Sequence, residues 1–585
     1  MIRNPLNTFP FYYIKERYFL IFAICLSAFF IRIWGIEYDI SSQPNPDGNL
    51  YIENALKVVS GQINIGLFRQ GNFYPYFLSI CFGGLFLVER LLGIVKSPDD
   101  FLILNYIANP ANLLIYTRFI SAVLGVIIVY LTYIAGKRLF DAYIGLISSF
   151  FVAFSYIHVQ QSHYEKEDML TSILIIIALL FAISIIKKDK PSLFDFVFCG
   201  GFIGLATASK YLAWVGISLF LFACLYHRRT PFFRRYTLLG MLFIPVGFLV
   251  GEPFALLDFN RFISDISSMK TVTELGLDLN GQPRWLFYLT EHLKNGIGLP
   301  LEVIVLLASI YMIFKRYWLG LILLVYPISL LIFLNYYKAH CSYYLVTAIP
   351  FIAILSGWFL NELSQKIKED WLKNTAVIIS AVFIIIPSLI NCIRLDYLLS
   401  QPSTGELAKE WIERNIPTNS QILIEGTYGS IIAGGPALNS NIESMRRELE
   451  GIQAKGGKGK LWEKKIEFIR QNKEIKTYDI IKTTNLTAKL IEETNPICVI
   501  SKSVYDYDNG YRITSSAERK AMHKLLNEKY RLIKRVEPYP VMDDTPYLYL
   551  MDFNKLKMVE LLVSPQREII QGIGINIYER RENGI

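Results

Sequence analysis

The sequence predicts a polytopic α-helical membrane protein that carries a C-terminal soluble α/β domain. Three observations predict it. The 585 residues are 53% hydrophobic and 14% aromatic, with a mean hydropathy of +0.35, too apolar for a soluble chain of this length. Apolar runs long enough to cross a bilayer, about 20 residues or somewhat fewer, recur along the first two thirds of the chain. From Ser400 the composition turns polar, and short strand and helix patterns replace the long runs.

The first run, residues 18–36, follows Arg3, Lys15 and Arg17. No small-residue cleavage site follows Trp34, so it reads as an uncleaved first helix. Later runs begin near Arg118, Tyr143, Met169, Phe194, Tyr236, Leu299, Trp318, Tyr343 and Asn374. Residues 73–94 contain Glu89, Arg90 and Gly-rich turns, and charge decides their place. As an interfacial helix or helix pair within one long outer loop, residues 37–117, they leave every dense basic cluster between spans on the cytoplasmic side. Those clusters are Lys137 and Arg138; Lys187, Lys188 and Lys190; Arg228, Arg229, Arg234 and Arg235; Lys315 and Arg316; and Lys366, Lys368 and Lys373. If residues 73–94 spanned, the clusters would face outward. The same rule splits residues 194–226, flanked at both ends by basic clusters, into two short helices that meet near Ser209-Lys210-Tyr211. Lys210 then sits at the outer membrane boundary, an expensive place for a lysine. About eleven spans result, with the chain in the cytoplasmic (inner) membrane. Residues 1–399 form the transmembrane domain and 400–585 an extracytoplasmic one.

In that second domain residues 405–415 read as an amphipathic helix, and 421–425 and 496–501 as buried strands. Residues 548–552 and 572–578 read as further strands near the end. Roughly 180 residues suffice for a separate core. Gly456-Gly457-Lys458-Gly459-Lys460 lacks the spacing of a phosphate-binding loop and follows no strand, so it reads as a solvated loop. The 7 cysteines lie mostly in apolar runs without CxxC spacing, which fits buried thiols and neither disulfides nor a zinc knuckle. The net charge of +9 is accounted for by topology and does not call for nucleic acid.

The expected outer-face loops concentrate polar groups. The first holds Ser41-Ser42-Gln43-Pro44-Asn45-Pro46-Asp47-Gly48, where prolines and a glycine fence a carboxylate into a turn, followed by Glu53, Arg69 and Tyr74. The second, residues 158–168, holds His158, His163, Glu165, Lys166, Glu167 and Asp168. Lys210, Glu252, Asp258, Arg284, Tyr337, Lys338 and His340 join them. Singly, such residues are solvated turn groups or snorkelling cations. Gathered at one face, they suit transfer of a group from a lipid-linked phosphate. A carboxylate takes the acceptor's proton, and cations hold the phosphate and stabilise the charge it gains. A polytopic lipid or glycan transporter or flippase is the alternative, but it predicts internal repeats and charges at the midplane. No repeat is visible, and the charges gather at one face. A non-catalytic scaffold is a further rival.

Several motifs occur in a characteristic order. They are Pro46-Asp47-Gly48, Phe73-Tyr74-Pro75-Tyr76-Phe77-Leu78, Arg118 opening Arg-Phe-Ile-Ser-Ala-Val-Leu-Gly, Gly136-Lys137-Arg138-Leu139-Phe140, and Ser162-His163-Tyr164-Glu165-Lys166-Glu167-Asp168. Ala206-Thr207-Ala208-Ser209-Lys210-Tyr211, the run from Pro253 to Asp258, Tyr343-Tyr344-Leu345-Val346-Thr347-Ala348-Ile349-Pro350 and the stretch from Leu407 to Pro417 continue it. Together they resemble the GT-C glycosyltransferases, and more narrowly the family of protein O-mannosyltransferases and the aminoarabinose transferase that modifies lipid A. The resemblance implies a sugar donor on a polyprenyl phosphate and inversion at the anomeric carbon, while the acceptor, a lipid, glycan or protein, stays open. It maps the first-loop base onto Asp47, and the second-loop acidic residue onto Asp168 with Glu167 as its neighbour. Arg69 is the nearest candidate for the basic residue that precedes the Phe73-Tyr74-Pro75 segment. There the chain departs from the pattern, because Gln70-Gly71-Asn72-Phe73 stands where many members carry a His-Pro or Lys-Pro pair. By position Lys210 is the better phosphate ligand, since a lysine at a short-helix turn wants an anion. Tyr74, His163, Arg284 and Tyr344 complete the expected substrate-binding set. No cofactor is certain from the sequence, and His158 and His163 with Glu165, Glu167 and Asp168 leave a divalent metal open.

Overall fold

The computed structural model describes residues 9–40, 46–227, 233–274, 282–337, 341–425, 437–454, 459–483, 486–502, 516–536 and 575–581. They fall into two compact units. One comprises Met1–Trp34, Glu53–Ile80 and Arg118–Asp396, and the other Gly35–Ile52, Cys81–Thr117 and Tyr397–Ile585.

The chain is mostly helical. Pro110–Leu139, Asp168–Lys187, Ser342–Ser364 and Asp370–Leu399 are long and apolar enough to cross a membrane, and Ala142–Ala153 with Tyr156–Ser162 forms a pair bent by 62°. Leu193–Ser209, Tyr211–Tyr226, Arg235–Gly251, Leu299–Phe314 and Ile322–Tyr336 are shorter apolar helices. The expected break at Ser209-Lys210-Tyr211 is present. Lys210 adopts an extended backbone (φ −147°, ψ 117°), and the chain restarts as a 3-10 turn over Tyr211–Gly216. Residues 73–94 hold one helix, Phe73–Leu91, uninterrupted at its glycines.

Two local expectations are corrected. Pro46-Asp47-Gly48 does not form a turn but opens the helix Pro46–Val59, because proline's fixed φ suits the first helical position. Ser41 to Asn45 and the Asp47 side chain lie outside the described residues. Residues 158–168 are not a solvated loop either. Tyr156–Ser162 is helical, and every residue from 155 to 170 is buried. Its charges tolerate burial because they find partners within the fold.

The second unit contains a five-stranded sheet of β1 (Gln421–Glu425), β2 (Asp479–Thr483), β3 (Cys498–Lys502), β4 (Tyr530–Val536) and β5 (Ile575–Arg580), in the order β2-β1-β3-β5-β4. β1 pairs parallel with β2 and β3, and β5 pairs antiparallel with β3 and β4. Ile422 and Ile424 face a core with Ile412, Tyr478 and Ile500, while Leu423 faces one with Val499, Met522 and Leu526. Burial on both faces explains the unbroken apolar run of β1. The expected strands at 421–425 and 496–501 and part of 572–578 are therefore present, and residues 548–552 lie outside the described ones. So do Gly456, Gly457 and Lys458, whereas Gly459 (φ 66°) starts the helix Lys460–Gln471. The helix Thr404–Asn415 begins in a capping box between Ser403 and Glu406, and the Ser403 hydroxyl donates to Asp39 from the stretch after the first helix.

In the first unit the closest helix packing joins Leu193–Ser209 to Phe233–Gly251. A Cβ on Gly200 would lie 2.0 Å from the Gly240 carbonyl oxygen, and one on Gly204 2.1 Å from that of Ile244. Only glycine allows this approach, the small-residue packing common between apolar helices. Gly204→Val should therefore force the helices apart and lower stability by roughly 1–3 kcal/mol. Thermal unfolding in detergent checks this, with an unchanged midpoint counting against the contact.

Candidate functional site

The helix Asp168–Lys187 begins with a carboxylate in its first turn, where the positive end of the helix dipole favours negative charge. Across from it, Leu193–Ser209 ends and the extended backbone of Lys210 carries its ammonium back towards that turn. Lys210 Nζ lies 3.1 Å from Glu167 Oε1 and also donates to Asp168 Oδ1. The Thr171 and Ser209 hydroxyls, 2.9 Å apart, tie the two helices together beside this pair. Aromatic rings close the third side. Lys210 Nζ lies 4.7 Å from the Tyr343 ring centroid and 5.6 Å from that of Tyr344, and Lys166 Nζ 4.2 Å from Tyr343, within cation–π range. Asp168, Thr171, Lys210, Tyr326, Tyr343 and Tyr344 line a narrow cleft whose cavity volume is about 10 Å³, room for about one water. Asp168 is fully buried, yet its Oδ2 has no hydrogen-bond partner among the described residues. An unsatisfied buried carboxylate oxygen is costly and wants a donor.

The first-loop stretch before Phe73 is fastened beside Lys210. The Tyr211 hydroxyl donates to the Phe68 carbonyl at 3.0 Å, and the Phe68 amide donates to Asp265 Oδ2 at 2.9 Å. The Asn72 amide and its Nδ2 donate to the two oxygens of Glu252 at 2.7 and 2.8 Å. Arg69, between these anchors, is exposed. The two stretches expected to hold phosphate are thus brought together.

Other expected residues lie elsewhere. His163 is engaged by residues other than those of the Lys210 cleft. Its ring nitrogens contact the Val159 and Trp34 carbonyls at 3.0 and 3.2 Å, and Asp396 lies 3.5 Å away. His158 accepts from Arg32 at 2.9 Å through Nδ1. Glu165 pairs with Arg118 at 3.1 Å. These separate engagements leave no group of three metal-ligating side chains among the described residues. Tyr74 is buried, its ring stacked on Phe77 at 6.5 Å. Arg284 starts the short helix Arg284–Phe287 and is partly buried, while Tyr344 stands in the wall of the cleft. Lys338 and His340 lie outside the described residues.

Sequence reasoning did not find the Lys166–Tyr343 contact or the pairing of Asn72 with Glu252. An acid directly after an apolar helix and before Pro253 was the available signal for Glu252. Nothing local marks Asn72.

Residues 112–250 match the family model described as dolichyl-phosphate-mannose-protein mannosyltransferase. No curated protein matches the chain. ArnT from Cupriavidus metallidurans in the apo state is similar in structure, at 13% identity over 85% of this chain and 97% of that chain, with a TM-score of 0.51. The same protein bound to undecaprenyl phosphate gives 14% identity over 84% and 96%, with a TM-score of 0.47. The oligosaccharyltransferase of Archaeoglobus fulgidus in the apo form gives 12% over 96% and 88%, with a TM-score of 0.48. The chain thus shares its fold with apo ArnT, and the bounds of the family match enclose Asp168 and Lys210.

Proposed function

We propose that the chain transfers a sugar from a polyprenyl-phosphate donor to an acceptor at the outer face of the cytoplasmic membrane, with inversion. The observation that carries this reading is the Lys210 ammonium, set between Asp168, Glu167 and the Tyr343 and Tyr344 rings beside the stretch that bears Arg69. Lys210 and Arg69, with Arg284, receive the lipid phosphate and stabilise the charge it gains as the bond from the anomeric carbon to the phosphate oxygen breaks. The acceptor hydroxyl forms the new bond at that carbon, and its proton passes to Asp47. The open Oδ2 of Asp168 accepts from a substrate hydroxyl in the cleft, and Tyr344 supplies a ring face to it. Glu167 shares Lys210 with Asp168.

In this reading the apolar helices make about eleven crossings, residues 1–399 form the membrane domain, and residues 400–585 lie outside the cytoplasm and shape acceptor access. The acceptor is a lipid, a glycan or a protein.

Purified protein in lipid nanodiscs, supplied with polyprenyl-phosphate sugars and envelope acceptors, tests the assignment. Asp47→Asn should cut turnover by roughly 10²-fold or more with the protein still folded, and near-normal turnover would sink the base. Lys210→Ala should both abolish transfer and destabilise the fold by roughly 3–5 kcal/mol, since it takes the nearest counter-charge from two adjacent carboxylates. Adding Asp168→Asn should restore part of the unfolding midpoint and none of the activity. Recovery of turnover in that double variant would show that Lys210 only balances charge.

A further inference from the structure

Glu252 follows the last residue of the helix Phe233–Gly251 and is fully buried. A helix C-terminus carries negative partial charge and is the wrong end for a carboxylate, so its place needs a compensating interaction. Asn72 provides it. The Asn72 amide donates to Oε2 and its Nδ2 to Oε1, and Nδ2 also donates to the Leu67 carbonyl at 3.1 Å. The neighbouring Gly71 is seated on the end of the other helix. A Cβ there would lie 2.1 Å from the Ala208 carbonyl oxygen and 2.6 Å from that of Ser209, the residues immediately before Lys210. With the bond from Tyr211 to Phe68, the loop and the Lys210 turn are joined on both sides of Arg69.

We propose that Glu252 is the positioning residue of the phosphate site: its two-point grip on Asn72 sets the stretch bearing Arg69 against the Lys210 turn, so that both cations address one lipid-linked phosphate. The proposal rests on the reading of the chain as a polyprenyl-phosphate-dependent transferase. Glu252 does not meet the phosphate itself, since both its oxygens are engaged by Asn72.

The grip depends on ionisation. The carboxylate accepts from both Asn72 donors, whereas the protonated form turns an O–H against one of them. Burial pushes the Glu252 carboxyl up to about 7, against the Asn72 bonds, which hold it down. The titratable groups facing it are the phenols of Tyr76 and Tyr211, neutral across this range. The grip therefore loosens as pH falls through about 7 and holds above it.

Binding of undecaprenyl phosphate to the full-length protein in nanodiscs, from about pH 8 down to about pH 6, tests this. Glu252→Gln should weaken binding about tenfold at the upper end, with an unchanged unfolding midpoint. Asn72→Ala, which keeps the backbone donor, should fall between the two, and Glu252→Asp should regain part of the loss. Ionisation of the lipid phosphate is common to all variants, so the ratio of wild-type to Glu252→Gln affinity should shrink towards one as pH falls. Wild-type-like binding by folded Glu252→Gln, a pH-independent ratio, or an equal loss of binding to phosphatidylglycerol would overturn the proposal. If Glu252→Gln fails to fold, Asn72→Ala decides alone, and full affinity in it overturns the grip. Failure of the wild type to bind undecaprenyl phosphate overturns the transferase reading beneath it.

Discussion

The site depends on how closely two helices approach. Leu193–Ser209 and Phe233–Gly251 touch through Gly200 and Gly204, where a single methyl group would collide with a backbone oxygen. Two helices held that near deliver their C-terminal ends side by side. One end leads into Lys210 and the other into Glu252. The exposed carbonyls of a helix end welcome an ammonium and repel a carboxylate. Lys210 is therefore stabilised where it stands, and Glu252 is stable only while the first loop supplies donors. The asymmetry ties the loop to the membrane helices with no covalent constraint.

Buried charges in the first unit fall into two kinds. Arg118 with Glu165, both in the interior, fasten the helix Pro110–Leu139 to the segment that precedes Asp168. Arg32 does the same for the first helix, donating to the Ala28 and Ala153 carbonyls and to His158. Such pairs replace water with fixed partners and fix the geometry more than they stabilise it. One oxygen of Asp168 meets Lys210 while the other has no hydrogen-bond partner among the described residues, as is true of both oxygens of Asp396.

Much of this was legible in the sequence, for physical reasons. Basic clusters at both ends of residues 194–226 demanded a reversal, and a lysine in its middle marked the place. β1 announced itself through the buried apolar run Ile422-Leu423-Ile424. β2 and β4 did not, since their burial alternates irregularly and their outer residues are polar. Pro46-Asp47-Gly48 misled because the residue types that favour a turn also favour a helix start. The bond from Asn72 to Glu252 spans 180 positions, and no local pattern encodes a partner so distant. The burial of residues 158–168 was hidden for a related reason. Their polarity suggested water, but Arg118, Lys210 and Asp396, which let them go without it, lie far along the chain.

The charges at the cleft bear on how a phosphate could enter it. Lys166 and Lys210 stand against Glu167 and Asp168, so an arriving phosphate meets a locally neutral cluster and no net repulsion. To bind, it must draw Lys210 part of the way from Asp168, and a buried carboxylate that loses its counter-charge needs a new donor. In the proposed reaction the substrate hydroxyl is that donor. Phosphate and sugar hydroxyl then favour each other's binding through one lysine, and either alone leaves an unsatisfied charge. In the proposed reaction such coupling is the physical reason to prefer a sugar and a phosphate carried on the same molecule over free phosphate or a bare sugar.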